Sequence, residues 1–149
     1  MVKEESILKF MEIQHGELRE ALANLGMHLG YREKSMQSKQ KSKIINFKKK
    51  ELKHIALEEQ VMFVFDSKIK KVKTFNEIRK QHPEIIKLVD KIEKNILKKE
   101  DSLKYIQELQ KLLRKHVALE EKTLYSMMDK ILTSAEKTKL IEKANNFLN

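Results

Sequence analysis

Apolar residues recur every three to four positions along almost the whole chain, which is the spacing of amphipathic α-helices. The chain has 149 residues, of which 3 are Gly and 1 is Pro. A β-sandwich or β-barrel needs many turns rich in these two residues, so the composition argues against an all-β fold. We predict an all-α protein that forms a single domain over residues 1–149.

The apolar spacing predicts four long helices and one short helix. They cover residues of about 4–29, 44–68, 75–98, 102–131 and 134–147. The polar stretch 31–43 has almost no apolar residues and is predicted to be a linker. On the fourth helix, Leu124 and Met127 are expected to face inward. Four long helices with short loops favour an up-down-up-down four-helix bundle, with the fifth helix at its C-terminal end.

Local signals support two of the helix starts. Thr74 with Glu77, and Thr133 with Glu136, have the spacing of capping boxes. Pro83 lies inside the third predicted helix. Proline lacks an amide donor and clashes with the preceding turn, so we expect a kink there or a helix that starts only at this point.

The net charge of +10 arises from 32 basic and 22 acidic residues, and 28 of the basic residues are Lys. Lysines spread along helices are typical of a solvated surface, whereas base recognition favours Arg. We therefore expect no specific nucleic-acid partner. No apolar run approaches the roughly 18 residues of a membrane span, and the N-terminus lacks a signal-peptide core. We expect a cytoplasmic protein without a membrane partner.

Four of the five histidines fall one on each long predicted helix, in positions where the apolar stripe requires a hydrophobic residue. These are His15, His54, His82 and His116. Neutral imidazoles gathered in a dry core have no partner except one another or a metal ion. The fifth, His28, is expected on the surface or at the end of the bundle.

Two of the inward histidines are followed one helical turn later by a glutamate. The pairs are His54 with Glu58 and His116 with Glu120, in the similar segments HIALEEQ (54–60) and HVALEEK (116–122). Buried glutamates are costly unless they are paired or bind metal, and two divalent cations would neutralise them. Imidazole and carboxylate suit iron, with manganese and zinc as competitors. Because two six-coordinate ions offer about twelve positions, some would stay open to a small ligand.

This arrangement resembles the hemerythrin-like, or HHE cation-binding, domain family. The family pattern is His, His-x-x-x-Glu, His and His-x-x-x-Glu on successive helices. It reads IQHGEL (13–18), HIALEEQVMF (54–63), IRKQHPEII (78–86) and HVALEEKTLY (116–125) here, over about residues 5–131. The resemblance implies a non-haem di-iron centre, oxo- or hydroxo-bridged, with both glutamates bridging. The implied metal ligands are His15, His54, Glu58, His82, His116 and Glu120.

One departure from the family bears on function. Oxygen-carrying hemerythrins have a second His four residues after the third-helix ligand, where this chain has Ile86. The ligand set looks more like that of the repair-of-iron-centres proteins, whose Cys-containing segment is absent here. We therefore expect a protein that binds or reacts with O₂, peroxide or NO as a sensor, a store or in detoxification, rather than a dedicated enzyme. Iron donation to damaged iron–sulfur centres, catalase-like peroxide consumption and a metal-free interaction bundle are the alternatives.

The ferritin-like di-iron site is a competing template. It requires Glu-x-x-His, which occurs at Glu12 and at Glu51, but the corresponding position of the fourth helix is Leu113. Glu12 and Glu51 remain candidates for further ligands or for hydrogen-bond partners of ligands.

Three further residues lie near the predicted ligands in sequence. Tyr125 follows Glu120 by five residues and could approach the site, although packing is its favoured role. Glu59 and Glu121 each point about 100° away from the preceding glutamate, so we expect them to be exposed or bonded to a ligand.

Overall fold

The computed structural model describes residues 6–28 and 34–149, with the side chains of residues 6–26 and 39–149. It contains the helices α1 (Ile7–His28), α2 (Lys34–Leu57), α3 (Phe75–Leu97), α4 (Leu103–Leu119), α5 (Ser126–Ile131) and α6 (Ser134–Leu148). π-Helical turns at Glu58–Met62 and Glu120–Tyr125 continue α2 and join α4 to α5, and a 3₁₀ segment at Ser67–Lys71 precedes α3. These ranges contain no strand and no helix long and apolar enough to cross a membrane. The all-α prediction is confirmed.

The four long helices pack in a ring, in which α1 contacts α2 and α4, and α3 also contacts α2 and α4. Pairs of contacts give the directions. Lys48 on α2 bonds Glu93 near the end of α3, whereas Glu59, further along the chain, bonds His82 nearer the start of α3. The two helices are therefore antiparallel, and α6 adds the predicted C-terminal helix.

The buried histidines divide the core into two apolar clusters. On α1, His15 lies between Met11 of one cluster and Leu18 of the other. On α3, His82 lies between Ile78 and Ile85 in the same way. Burial of each large apolar side chain stabilises the fold by roughly 1.5–3 kcal/mol, so the bundle can accommodate a polar layer at its middle.

The predicted limits of the second helix are wrong at both ends. Within the predicted linker 31–43, residues from Lys34 onward are helical, while positions 31–33 lie outside the described residues. Lys, Gln and Met are good helix formers and the stretch lacks Gly and Pro, so an apolar face is not required. At the other end, the α-helix ends at Leu57 and the π-helical turn continues it only to Met62, short of the predicted end at about residue 68. Asp66 instead caps the 3₁₀ segment by accepting from the amide of Lys68 at 2.8 Å.

The π-helical turns also shift the inward positions by one residue. The Phe63 amide donates to the carbonyl of Glu58 at 2.8 Å, which is the five-residue spacing of a π-helix. After the second such turn Met127 is 40% exposed, whereas Met128 is fully buried. The prediction that Met127 faces inward is therefore wrong. It assumes 3.6 residues per turn throughout, whereas the π-helical turn contains one residue more and moves the buried position to Met128.

The predicted helix starts have mixed outcomes. The capping box of Thr133 and Glu136 is confirmed at α6. Thr74 precedes α3 but does not cap it, because its hydroxyl bonds that of Thr123 at 2.6 Å. Helix α3 runs through Pro83, so a start at that residue is wrong, and the kink stays a prediction.

Candidate metal centre

The structure brings the six predicted ligands together at the middle of the bundle. Each is at most 4% exposed. Ligand atoms of Glu58, His82, His116 and Glu120 lie within 4.8 Å of one another, and so do those of His15, His54 and Glu120. Because Glu120 belongs to both groups, the two groups form one continuous cluster. His28 has its side chain outside the described residues, so its predicted position has no counterpart here.

Each of the two glutamates is shared between histidines of different helices. The Oε1 atom of Glu58 lies 3.2 Å from Nε2 of His54 and 3.3 Å from Nε2 of His82. The Oε1 atom of Glu120 lies 2.9 Å from Nε2 of His116 on its own helix and 3.4 Å from Nε2 of His15 on α1. A carboxylate placed between two imidazoles in this way can bridge two metal ions.

The other ring nitrogen of two histidines is held by a glutamate outside the cluster. Nδ1 of His15 bonds Oε1 of Glu121 at 2.9 Å, and Nδ1 of His82 bonds Oε1 of Glu59 at 2.8 Å. A carboxylate accepts, so Nδ1–H is the donor and Nε2 keeps the lone pair that a metal needs. The sequence predicts that Glu59 and Glu121 are either exposed or bonded to a ligand. In the structure both are about a quarter exposed, and both accept a hydrogen bond from a histidine.

Gln81 was not predicted as a site residue, yet it orients a third histidine. Its Oε1 accepts from Nδ1 of His116 at 2.7 Å, and the side chain is buried. The sequence signal that could have identified Gln81 is its position directly before His82, at the edge of the inward-facing stripe. His54 differs from the others, because its Nδ1 has no hydrogen-bond partner in the described part of the chain.

The inward-facing atoms of the cluster have no hydrogen-bond partners within the ranges that the structure describes. They are Nε2 of His15, His54, His82 and His116 and Oε1 of Glu58 and Glu120, all fully buried. A buried polar atom without a partner destabilises a fold by about 1–3 kcal/mol. Divalent cations would satisfy all six atoms together, and an all-nitrogen and oxygen set suits iron, manganese or zinc. The residues therefore fit a metal centre.

Burial and charge divide the histidines into two pairs. Burial lowers the pKa of His15, and it lowers the pKa of His116 to about 4. Burial acts in the same sense on His54 and His82, but the carboxylate of Glu58 outweighs it and raises the pKa of both. Burial opposes ionisation of Glu58, yet the neighbouring imidazoles, His54 first, hold its pKa well below the usual range.

Tyr125 closes one end of the cluster. The side chain is fully buried, and its hydroxyl contacts Oε2 of Glu58 and Oε2 of Glu120, the latter at 2.8 Å. Burial, reinforced by the charge of Glu58, raises the pKa of the phenol well above 10.0. Tyr125 therefore remains a hydrogen-bond donor between the two carboxylates, in addition to its packing role.

The two other candidate glutamates occupy different environments. Glu51 is 2% exposed, its Oε2 has no partner among the described residues, and burial raises its pKa. It lines a cavity that also reaches His54 and Leu113. Glu12 is exposed on α1 and lies outside the cluster.

Comparison with known proteins identifies this cluster. The family model described as the hemerythrin HHE cation binding domain matches residues 6–128, which include the six buried ligands. No curated protein and no solved structure matches the chain significantly. The family match and the buried cluster agree in position and in residue type. The chain therefore belongs to the hemerythrin HHE cation-binding domain family, and it binds metal cations.

Proposed function

We propose that the centre holds two iron ions and binds or reacts with O₂, peroxide or NO. The sharing of Glu58 and Glu120 between histidines of different helices carries this proposal. Two bridging carboxylates and four imidazoles fill fewer than the about twelve positions of two six-coordinate ions. The centre would then keep positions open for a small ligand.

The protein's own groups determine what such a centre can do. The four histidines would bind through Nε2, while Glu121, Glu59 and Gln81 hold three of the rings in the required tautomer. The two apolar clusters exclude water above and below the cluster. When bound, iron supplies the change of oxidation state and the vacant coordination positions that this chemistry requires.

Ile86 favours reaction or sensing over oxygen transport. Its side chain is partly buried and packs against the apolar cluster beyond His82. It has no ligand atom, so the ion beside His82 would have one protein ligand fewer than in oxygen-carrying relatives. A more open ion is better suited to reacting with its ligand than to releasing it unchanged.

Anaerobic loading with ferrous iron, followed by air or NO, tests the proposal. We expect about two iron ions per chain and a new charge-transfer band in the near ultraviolet after air. Glu58→Ala and Glu120→Ala should lose iron and the band, whereas Glu12→Ala, an exposed glutamate, should keep both. Iron bound without any spectral response to O₂, peroxide or NO would contradict the proposed function.

Peroxide consumption is a second candidate, favoured by the buried carboxyl group of Glu51 in the cavity beside His54. Burial raises the pKa of this carboxyl group, which favours the protonated form that can donate a proton to a leaving oxygen. Glu51→Gln should slow peroxide loss by about tenfold or more without changing the iron content. Unchanged turnover in this variant would remove Glu51 from the reaction.

A further inference from the structure

We propose that the cavity between α1 and α4 binds an amphipathic organic anion, an alkyl or aryl chain that ends in a carboxylate, beside the metal centre. The binding site is formed by side chains alone. Its link to reaction at the metal rests on the proposed function, which the inference deepens by naming a ligand larger than a diatomic molecule.

The first observation is the size of the cavity. Its volume is about 590 Å³. A water molecule occupies about 30 Å³ in the liquid, so the space corresponds to roughly twenty waters. O₂ or NO needs only a small fraction of it, whereas ligand pockets for organic molecules span about 300–1,000 Å³.

The second observation is the chemistry of the walls. Six apolar side chains line the cavity, and the four larger ones are Leu18, Leu22, Leu113 and Val117. Leu18 and Leu22 lie one turn apart on α1, and Leu113 and Val117 lie one turn apart on α4. Two facing apolar ridges favour an extended hydrocarbon chain or a flat ring over a small polar ligand.

The third observation is a polar group at the floor. Glu51 lies there with His15 and His54. Glu51 is 2% exposed, and its Oε2 has no hydrogen-bond partner within the described ranges. The equivalent position of α4 is Leu113, which lines the same cavity with an apolar side chain. This carboxyl group and the two imidazoles therefore place the inner end of the cavity beside the metal centre.

The fourth observation is the charge at the mouth. Arg19, Arg114 and Lys122 line the cavity and are exposed, and none of them pairs with a described carboxylate. Arg114 uses its Nε to donate to the carbonyl of Gln110 at 3.4 Å. The one acidic side chain at the mouth, Glu121, is engaged by His15. Two guanidinium groups favour a carboxylate at the outer end of the ligand, because they can bind it in a bidentate manner.

A larger groove lies on the opposite side of the centre, between α2 and α3. Its two carboxylates are partly exposed and already paired, Asp90 with Lys48 at 3.0 Å and Glu59 with Arg79 at 3.1 Å. It therefore lacks a buried carboxyl group without a partner such as Glu51, within the ranges that the structure describes. Five exposed lysines line this groove, and two of them, Lys87 and Lys94, serve as matched control positions away from the cavity.

Calorimetric titration of the iron-loaded protein with octanoate tests the inference. Two control ligands separate the contributions: acetate has the carboxylate without the long alkyl chain, and 1-octanol has the alkyl chain without the charge. We expect saturable binding of one octanoate per chain and much weaker binding of acetate. The double variant Arg19→Gln, Arg114→Gln should weaken octanoate binding by about tenfold or more, and Lys87→Gln, Lys94→Gln should leave it unchanged.

A second variant tests the position of the chain. Ala118→Phe adds bulk to a partly exposed residue of the cavity lining, and it should abolish octanoate binding while the protein keeps its iron. Octanoate binding that is absent, or that is unchanged in the arginine variant, would overturn the inference. Equal binding of 1-octanol would also overturn it, because the ligand would then be neutral.

The two proposals fail separately. Failure of octanoate to bind a protein with two iron ions per chain removes this inference alone. Octanoate binding by a protein that retains no iron removes the proposed function and leaves the anion site in place.

Discussion

Glu121 provides a sharp test of how the centre is held, because it touches a ligand but is not one. Its Oε1 accepts from Nδ1 of His15 at 2.9 Å, and its side chain is 26% exposed. Glu121→Ala removes the acceptor that fixes the tautomer and the orientation of the His15 ring. Since the residue lies at the rim, the change creates little cavity in the core.

The expected loss can be estimated from similar contacts. Removing a hydrogen-bond partner of a metal-binding histidine weakens metal affinity by about 10–100-fold. This factor corresponds to about 1.4–2.7 kcal/mol of binding free energy. At a saturating metal concentration, the free energy of unfolding of the metal-loaded protein falls by the same amount. For a chain of this size, 1 kcal/mol shifts Tm by about 2–4 °C, so the metal-loaded Tm should fall by about 3–11 °C.

Anaerobic titration with ferrous iron against a competing chelator measures the affinity directly. Glu59→Ala should show a similar loss, because Glu59 holds His82 at 2.8 Å in the same manner. Glu121→Gln keeps an acceptor oxygen and should recover part of the affinity, and the exposed Glu12→Ala should bind iron like the parent. Parental affinity in Glu121→Ala would refute the orienting role.

Three further predictions concern stability. In urea unfolding, Met128→Ala should destabilise the protein by about 2–5 kcal/mol and Met127→Ala by less than about 0.5 kcal/mol, because of these two residues only Met128 is buried. Equal losses would contradict the π-helical register. The metal-free protein should lose stability as the pH rises above about 6.5. Because the pKa values of His54 and His82 are raised in the folded state, their protonated forms stabilise the fold fully below the unfolded-state pKa of about 6.5. This stabilisation is lost as the two histidines deprotonate, so a Tm that rises with pH would contradict the assignment. Thr133→Ala removes the cap of α6 and should lower the free energy of unfolding by about 1 kcal/mol, and no change would show that the cap is dispensable.

The helices and the six clustered residues could be predicted because a core position in a helix is a strong periodic signal. His82 replaces an apolar residue between Ile78 and Ile85, and such a substitution is visible in the sequence alone. The family pattern added the pairing of His54 with Glu58 and of His116 with Glu120. All six are buried together in the structure.

The two π-helical turns could not be predicted, because one extra residue in a turn leaves no mark in composition. They explain why Met127 is exposed, and they also begin at the glutamates of the cluster, Glu58 and Glu120. π-Helical turns often occur at functional sites, where they re-aim side chains.

Contacts between helices were the other gap. Gln81 and the hydroxyl of Tyr125 reach partners on helices far away in sequence, and single-helix periodicity carries no information about such partners. Thr74 shows the same limit, because a hydroxyl of Thr123 outcompetes the local cap that its spacing predicts.

Iron per chain in the anaerobically reconstituted protein tests the central claim most directly. The account predicts about two iron ions in the parent, two in Glu12→Ala, and a clear loss in Glu120→Ala, because Glu120 is the one residue shared by both groups of ligand atoms. Fewer than one iron per chain in the parent, or an unchanged iron content in Glu120→Ala, would contradict it.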